Sequence, residues 1–331
     1  MNRETIAGID IGGTKIAVAL ATTDGRVLSL SRFPTEVERG PHRIIERAVS
    51  EVRRMAEENE AHLLAVGVGC GGPLDRARGL ILSPPNLPGW DEFPITELVE
   101  KGLDAPVLLD NDANAAALGE HNQGAGRGFQ DLVYMTISTG IGGGIISKGE
   151  ILHGVGDAAG EVGHITILPE GPECRCGERG CLETLCSGTG IARRARERLA
   201  TGVTSAMTAI AGSVDKVTAK IVAEAARDRD PLAVEIWDDT VHYLAIGIGS
   251  IISILAPEAV ILGGGVSTAG EQLLEPVRAQ VSRRVKMLPV ERIKILQAEL
   301  GGDSGIHGAL ILGRQAAALR SEGKRDSTTV A

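Results

Sequence analysis

The amino-terminal part of the chain contains a glycine turn of a kind that can bind phosphate. It reads Asp10-Ile-Gly-Gly-Thr-Lys15. Gly12 and Gly13 permit a tight turn that presents backbone N-H groups to an anion, while Thr14 adds a hydroxyl and Lys15 a positive charge. Asp10 could hold Mg²⁺ through water. When such a turn stands alone, a tight hairpin with incidental polar residues is the simpler interpretation.

A second glycine turn repeats this arrangement further along the chain. The stretch Thr136–Gly144 reads Thr-Ile-Ser-Thr-Gly-Ile-Gly-Gly-Gly. Two such turns can bind a triphosphate together, which favours phosphate binding over two incidental hairpins. A third glycine run, Gly263-Gly264-Gly265, follows an apolar strand. It could let an adenine or a ribose approach the backbone closely, or it could be a plain turn from a strand to a helix. The nucleotide contacts expected from these two stretches are Thr139, Gly140, Gly263, Gly264 and Gly265.

A polar cluster stands where a predicted strand meets a predicted helix. The sequence Leu-Leu-Asp-Asn-Asp-Ala-Asn ends the apolar stretch Val107–Leu109 and leads into an alanine-rich helix. At such a junction the Asp112 carboxylate could take the proton from a substrate hydroxyl, and we interpret it as a general base. The alternative is that Asp110, Asn111 or Asp112 merely caps the helix, and one residue can cap while another catalyses.

Further polar side chains could bind the hydroxyl groups of a sugar. Glu161, His164 and Glu183 supply acceptors and a donor. Asn86 and Asn111 add amide groups. Taken singly, each of these residues could equally lie on an ordinary surface, so the motifs around them decide the interpretation.

Three of the five cysteines cluster in the loop 174–181. Three thiols and an imidazole form the donor set of a closed tetrahedral zinc site, and Gly177 and Gly180 permit the tight turns that such a cluster needs. The alternative, reduced cysteines in a flexible loop, would leave reactive thiols exposed. Cys186 is an alternative ligand, although Cys70 and Cys186 fit buried positions better. The predicted zinc ligands are His164, Cys174, Cys176 and Cys181.

The length and composition predict a two-domain α/β protein. A chain of 331 residues suggests two domains that each bury a core, and with only 2% aromatic residues, aliphatic side chains must fill the interior. We expect a small lobe over 1–118, completed by a C-terminal helix at about 304–320. A large lobe over 119–303 would carry the zinc loop 164–181, and 321–331 would form a flexible tail.

Both predicted lobes begin with a strand-turn-strand unit. The first is an antiparallel meander over Ile6–Ile11, Ile16–Ala21 and Val27–Ser31. The second, over Leu132–Ile137 and Ile145–Ser147, indicates a faint internal duplication. Apolar spacing predicts the other elements. The predicted helices are about Ile44–Ala56, Ala113–His121, Leu182–Leu199, Val214–Arg227, Pro231–Leu255 and Ser304–Leu319, and the predicted strands are Leu63–Gly69, Val107–Leu109 and Ala259–Leu262.

Charge and apolar runs argue against several classes of function. The net charge of -9 disfavours binding to a nucleic-acid backbone, so no nucleic-acid partner is expected. The longest uncharged apolar run, Leu244–Ala256, is shorter than the roughly 20 residues of a membrane span. Since no signal peptide is recognised either, we expect no membrane partner and a cytoplasmic location. Neither the P-loop pattern nor the dinucleotide fingerprint occurs, which argues against P-loop enzymes and dehydrogenases.

Together these stretches resemble the ROK family of sugar kinases and regulators, within the superfamily of actin-like ATPases and hexokinases. The resemblance spans nearly the whole chain. Its motifs are Asp10–Lys15, Gly71–Asp75, Ser83–Trp90, Asn111–Glu120, the Thr139 turn, Ala159–His164 and Cys174–Glu183. The resemblance implies a two-lobed actin-like ATPase/hexokinase (ribonuclease H-like) fold. It also implies a kinase that transfers the γ-phosphoryl group of Mg-ATP to the 6-hydroxyl of glucose.

The resemblance assigns roles to individual residues. It implies that Asp112 is the catalytic base, and that His164 binds a structural zinc through one ring nitrogen and the sugar through the other. The implied sugar ligands are Gly72, Asn86, Asn111, Asp112, Glu161, His164 and Glu183. Two positions depart from the family pattern: Asp110 stands where the family often has Glu, and Ala256 stands where Asn is common. Neither residue is expected to take part in the proposed reaction.

The resemblance also implies ligands and an assembly. The ligands are ATP, Mg²⁺ and a structural Zn²⁺, the substrate is glucose or a related hexose, and the assembly is a homodimer or homotetramer. Close alternatives are a kinase for N-acetylglucosamine or N-acetylmannosamine, and polyphosphate or ADP as the phosphoryl donor. A sugar-sensing regulator of the same family is not expected, because the first phosphate turn begins at Asp10 and leaves no room before it for a DNA-binding module.

Overall fold

The computed structural model describes the backbone of residues 3–84 and 86–328, with side chains up to residue 321. Within these ranges the strands are β1 (Arg3–Ile11), β2 (Lys15–Thr22), β3 (Val27–Pro34), β4 (Ala61–Cys70), β5 (Leu74–Asp75), β6 (Leu80–Ile81), β7 (Val107–Asn111), β8 (Leu132–Ile137), β9 (Ile141–Ser147), β10 (Glu150–Ile151), β11 (Ala259–Gly263) and β12 (Lys294–Gln297). The helices are α1 (Pro41–Glu58), α2 (Ile95–Leu103), α3 (Asp112–Gln123), α4 (Leu182–Cys186), α5 (Gly188–Ala200), α6 (Ala206–Ala211), α7 (Ala219–Arg227), α8 (Pro231–Leu255), α9 (Gly264–Ser267), α10 (Glu271–Arg284) and α11 (Ser304–Thr328). None of the helices in the described ranges combines the length and the apolar character that a membrane span requires.

The chain divides into two compact α/β units. The first unit comprises Met1–Arg127, His153–Ala159 and Gly302–Ala331, and the second comprises Gly128–Leu152 and Gly160–Gly301. The predicted boundary at 118 would cut through α3, whereas the whole of this helix lies in the first unit. The first unit also includes a short segment from the middle of the chain that the sequence did not single out.

The first unit is built on a five-stranded sheet with the order β3-β2-β1-β4-β7. Its first three strands form the predicted antiparallel meander, and β4 and β7 run parallel to β1. Helix α11 packs closely on this sheet, because a Cβ on Gly67 would come within 1.9 Å of the Ala309 carbonyl oxygen. The C-terminal helix thus belongs to the core of the first unit.

The second unit is built on a five-stranded sheet with the order β10-β9-β8-β11-β12. Strands β8 and β9 pair antiparallel, while β11 runs parallel to both β8 and β12. The core of this unit consists mainly of aliphatic side chains from the sheet and from the helices α5, α7, α8 and α10. The prediction of an α/β fold is therefore confirmed in both units.

Two predicted helices are shorter than the apolar spacing indicated. The helix predicted over Leu182–Leu199 is interrupted at Ser187, which is extended and caps α5 by accepting a hydrogen bond from the Gly190 N-H group. The helix predicted over Val214–Arg227 begins only after Thr218, whose hydroxyl accepts from the Ile221 N-H group. In both places a hydroxyl side chain competes with the helical backbone and ends the periodic pattern.

Other elements differ from the prediction at the carboxyl end of the chain and in weakly periodic stretches. Helix α11 continues to Thr328, over positions predicted as a tail, and 329–331 lie outside the described residues. Helices α2, α6 and α10 and strand β12 were not predicted, and α10 contains Pro276, which weakens the helical signal. The glycines after Gly140 lie in β9 and not in the turn.

Candidate active site

Three parallel strands of the first unit end at the same edge of their sheet. The register pairs Ile11 of β1 with Cys70 of β4, and Cys70 with Asn111 of β7. The first glycine turn follows β1, the Gly71-Gly72 turn follows β4, and Asp112 follows β7 as the first residue of α3. One sheet edge therefore carries the proposed base and the proposed phosphate turn.

The Gly71-Gly72 turn leaves space in front of the polar pair at the start of α3. A Cβ on Gly71 would lie 3.7 Å from Oδ2 of Asp112, and one on Gly72 would lie 3.1 Å from Nδ2 of Asn111. Any longer side chain at Gly72 would therefore displace the Asn111 amide. Gly72 fits a substrate-facing position for this reason.

The cap of α3 is Asn111. Its Oδ1 accepts a hydrogen bond from the Ala113 N-H group at 2.8 Å. Asp112 lies in the first helical turn, where the helix dipole favours its negative charge. The two alternatives from the sequence are therefore compatible, since Asn111 caps the helix and Asp112 remains the candidate base.

The carboxyl group of Asp10 lies at the end of β1 among crowded protein atoms. Burial raises the pKa of Asp10 to about 7, and the negative charges of Asp112 and Asp303 act in the same direction, against the opposing effect of Lys15. Gly305, at the start of α11, allows this packing, because a Cβ there would lie 2.7 Å from Oδ2 of Asp10. A divalent cation would relieve the repulsion between these carboxylates, so Asp10 fits the predicted Mg²⁺ position.

The first glycine turn is closed by the backbone. The Gly12 N-H group donates to the Lys15 carbonyl oxygen at 3.0 Å, and the Thr14 carbonyl oxygen accepts from Thr35. A Cβ on Gly13 would come within 2.9 Å of the Asn86 carbonyl oxygen, so Asn86 lies beside the turn. Its neighbour Pro85, in the predicted motif Ser83–Trp90, lies outside the described residues.

The second unit contains a cavity of about 700 Å³, a volume that suits a nucleotide. Ser138, Thr139 and Gly265 line it together with apolar side chains that include Trp237. Gly263 and Gly264 are not among the lining residues. Gly264 has a φ of +81° and a Cβ there would collide with the Ile137 carbonyl oxygen, so these two glycines form the strand-to-helix turn itself.

The second glycine turn also holds Glu183. Oε2 of Glu183 accepts a hydrogen bond from the Ile141 N-H group at 2.8 Å. A Cβ on Gly140 would lie only 2.4 Å from the same oxygen. Gly140 therefore contacts a predicted sugar ligand, whereas the sequence assigned it to the nucleotide.

The four predicted zinc ligands lie together in the second unit. Nδ1 of His164 is 3.6 Å from Sγ of Cys174, and Sγ of Cys176 is 3.7 Å from Sγ of Cys181. All four ligand atoms lie within 4.8 Å of one another. Tetrahedral zinc with bonds of about 2.3 Å to sulfur places its ligands about 3.8 Å apart, so the residues present fit this metal.

The two ring nitrogens of His164 face different groups, the cysteine thiols on one side and Glu161 on the other. Nδ1 faces the cysteines, and Nε2 is 3.8 Å from Oε2 of Glu161. A metal bound to Nδ1 would fix the orientation of the ring and leave Nε2 available to a hydroxyl ligand. Glu161, with a largely exposed side chain, is placed by the 3₁₀ turn Val162–His164 that follows it.

The remaining cysteines stand apart from this cluster. Cys70 and Cys186 are fully buried, as predicted, and burial raises the pKa of both thiols. The Cys186 thiol donates to the Thr240 carbonyl oxygen at 3.5 Å, so it does not serve as the substitute ligand.

Of the two departures from the family pattern, Asp110 lies beside the start of α3. Oδ1 of this buried residue accepts hydrogen bonds from the Asn111 N-H group at 2.8 Å and from Nδ2 of Asn114 at 2.9 Å. Ala256 ends α8 in the left-handed conformation, at a φ of +44°. Asn adopts this conformation more easily than Ala, which accounts for its frequency at such a position.

The chain is similar to known proteins over most of its length. The profile of the ROK family matches residues 6–316. The glucokinase of Thermotoga maritima is 39% identical, over 93% of this chain and 97% of its own length. The crystal structure of a ROK hexokinase from Thermus thermophilus covers 93% of this chain and 97% of its own at 36% identity, with a TM-score of 0.79. A ROK family glucokinase from Streptomyces griseus, in complex with glucose and AMPPNP, covers 94% and 99% at 36% identity, with a TM-score of 0.77.

These similarities extend over both units and include the strands and turns that carry the candidate residues. The two-sheet α/β fold is that of the ROK hexokinases, which confirms the fold predicted from the motifs. The chain belongs to the ROK family.

Proposed function

We propose that this protein is an ATP-dependent glucokinase, which transfers the γ-phosphoryl group of Mg-ATP to the 6-hydroxyl of glucose. The observation that carries the proposal is that Asp112 and the glycine turn Asp10–Lys15 share one edge of the first sheet. The similarity to the Thermotoga maritima glucokinase supports glucose as the substrate. The Streptomyces griseus relative, solved with glucose and AMPPNP, supports both the sugar and ATP as the donor.

Asp112 is the proposed general base. Its carboxylate takes the proton from the sugar 6-hydroxyl as the bond from that oxygen to the γ-phosphorus forms. The bond between the γ-phosphorus and the bridging oxygen breaks, and ADP leaves with the negative charge. The ammonium group of Lys15 stabilises the charge on the transferring group, together with N-H groups of the first glycine turn other than that of Gly12, which donates to the Lys15 carbonyl oxygen.

The sugar is held by amide, carboxylate and imidazole groups. In the first unit we assign this role to Asn86 and Asn111, which lie beside the first glycine turn and Asp112. In the second unit we assign it to Glu161, His164 and Glu183. Zinc, when bound by His164, Cys174, Cys176 and Cys181, supplies structural support and takes no part in bond making. With Nδ1 bound to the metal, Nε2 of His164 would stay oriented toward its own ligand.

The cavity of the second unit is the proposed site of the adenosine group. Thr139 and Gly265 offer polar backbone and hydroxyl groups, and Trp237 and neighbouring alanines form an apolar wall for the base. Asp10 would hold Mg²⁺, which would neutralise phosphate charge.

A coupled ADP-release assay tests this function. Mg-ATP would be offered with glucose, mannose, fructose, N-acetylglucosamine, N-acetylmannosamine or no sugar. We expect the highest kcat/KM with glucose and little ADP release without sugar. A clear preference for an N-acetylated sugar would reject glucose as the substrate, and ADP release with no sugar dependence would reject a sugar kinase.

Two further expectations belong to this proposal. Free thiols at the zinc site are kept reduced in the cytoplasm, where ATP is also available, so we propose that the enzyme acts there. We also propose a homo-oligomer, a dimer or a tetramer. Light scattering that gives only the 34.5 kDa of one chain at working concentration would reject this expectation.

A further inference from the structure

The segment His153–Ala159, which we term the strap, belongs to the first unit although the chain before and after it belongs to the second. Its two ends are joined by a hydrogen bond from the Ala159 N-H group to the His153 carbonyl oxygen at 2.9 Å. The strap is held to the first unit by two side chains, His153 near its start and Asp157 near its end.

His153 contacts the carboxylate that supports the start of α3. Nε2 of His153 lies 2.8 Å from Oδ2 of Asp110. Since an ionised carboxylate only accepts, Nε2 carries the hydrogen and donates it. The other oxygen of Asp110 accepts from the Asn111 N-H group and from Asn114, so His153 and the first turn of α3 bind opposite oxygens of one buried carboxylate.

Asp157 makes the second attachment. Its Oδ2 accepts from the Arg76 N-H group at 3.2 Å and its Oδ1 from Nη1 of Arg76 at 3.3 Å. Asp157 adopts a left-handed conformation with a φ of +58°, in which both carboxylate oxygens reach Arg76. Nε of Arg76 in turn lies 3.5 Å from Oδ2 of Asp110 and donates to the Leu109 carbonyl oxygen. The strap therefore contacts Asp110 directly through His153 and indirectly through Asp157 and Arg76.

We propose that His153 and Asp157 are positioning residues of the strap, which fix Asp110 and through it the Asn111-Asp112 pair at the start of α3. Asp110 has little freedom to turn while donors hold both of its oxygens. Without His153, the contact of Oδ2 that remains among the described residues is the longer one to Arg76, and the carboxylate can rotate away from the Asn111 N-H group. The role in phosphoryl transfer rests on the proposed function of Asp112, whereas the ordering of residues 110–114 does not.

The test compares His153→Ala, His153→Gln, Asp157→Asn and Val155→Ser with the wild-type protein. Gln offers an amide N-H donor in place of Nε2, and Asn tolerates the left-handed conformation while losing the charge that binds Arg76. Val155 lies in the strap with a side chain that is 96% exposed, so its replacement is the matched control. Hydrogen–deuterium exchange of peptides covering 107–118 gives a readout that is independent of any activity.

We expect His153→Ala to speed exchange at residues 111–114 and to lower kcat for glucose phosphorylation by about tenfold to a hundredfold, with the KM for ATP unchanged. Asp157→Asn should have the same effects to a smaller extent. His153→Gln should restore most of both properties, and Val155→Ser should match the wild type. Wild-type exchange at 111–114 in a folded His153→Ala variant would overturn the proposal, as would equal defects in His153→Ala and His153→Gln. If the wild type phosphorylates no sugar, the proposed function fails, and the exchange data still decide the role of the strap.

Discussion

Replacement of Asp10 by Asn should stabilise the metal-free protein at alkaline pH while abolishing its activity. The carboxyl group of Asp10 is desolvated and lies near the negative charge of Asp112, which together raise its pKa from 3.8 to about 7. Above that pH an ionised carboxylate stands in an environment that disfavours it. The neutral amide of Asn has nearly the same shape and carries no such penalty.

The sign and size of the effect follow from the pKa shift. Because the folded-state pKa is higher than the unfolded value of 3.8, the folded protein binds the extra proton between these values. The stability that this carboxyl contributes is complete below pH 3.8 and is lost as the pH rises through about 7. A shift of about three pKa units corresponds to about 4 kcal/mol, and partial access of water to the group reduces this to about 2–4 kcal/mol.

Calorimetric unfolding of the wild type and Asp10→Asn in magnesium-free buffer, from pH 4 to pH 8.5, measures the difference. The two proteins should be equally stable near pH 4, and the variant should be more stable by about 2–4 kcal/mol at pH 8. Millimolar MgCl₂ should raise the stability of the wild type at pH 8 and leave the variant unchanged.

Asp24→Asn is the matched control. Asp24 is a fully exposed carboxylate of the same unit, and a hydrogen bond from the Thr22 hydroxyl lowers its pKa. Its replacement should bring no gain in stability at pH 8. If Asp10→Asn were equal to or less stable than the wild type at pH 8, the account of Asp10 as a desolvated, metal-dependent carboxylate would be refuted.

Two further predictions concern the second unit. Cys176→Ala should lose zinc, which elemental analysis would measure. Because His164 then loses its support, the KM for glucose should rise by about tenfold to a hundredfold. Normal glucose affinity in a zinc-free variant would contradict this link between zinc and sugar binding. Gly140→Ala should leave the melting temperature within a few degrees of the wild type, because its Cβ meets only the end of the Glu183 side chain. The displaced carboxylate should raise the KM for glucose by about tenfold or more, and an unchanged KM would show that Glu183 does not bind the sugar.

The features that could be predicted from sequence are those set by neighbouring residues. The first meander follows from alternation and glycine turns, and helix α8 was predicted with the bounds Pro231–Leu255 because a proline begins it and a long apolar pattern continues it. The zinc ligands were recognisable because His164 and the three cysteines lie close together in the chain. In each of these cases, residues close together in the chain carried enough information to predict the structure.

The features that could not be predicted depend on contacts between distant parts of the chain. His153 meets Asp110 across 43 residues, and Glu183 meets Ile141 across 42. Asp303 and Gly305 reach Asp10 only because α11 packs on the first sheet. Nothing in the spacing of these residues marks their proximity, which arises from the strand order and from which helix covers which sheet.

The most direct test of the central claim is to identify the product of the wild type and to measure the effect of Asp112→Asn. Phosphorus NMR of a reaction with glucose and Mg-ATP should detect glucose 6-phosphate and ADP in equal amounts. The variant should bind glucose within about threefold of the wild-type affinity and lose turnover by at least about a hundredfold, since the amide can hydrogen-bond but cannot accept the proton. Phosphorylation at another hydroxyl, or turnover by Asp112→Asn within tenfold of the wild type, would contradict the account.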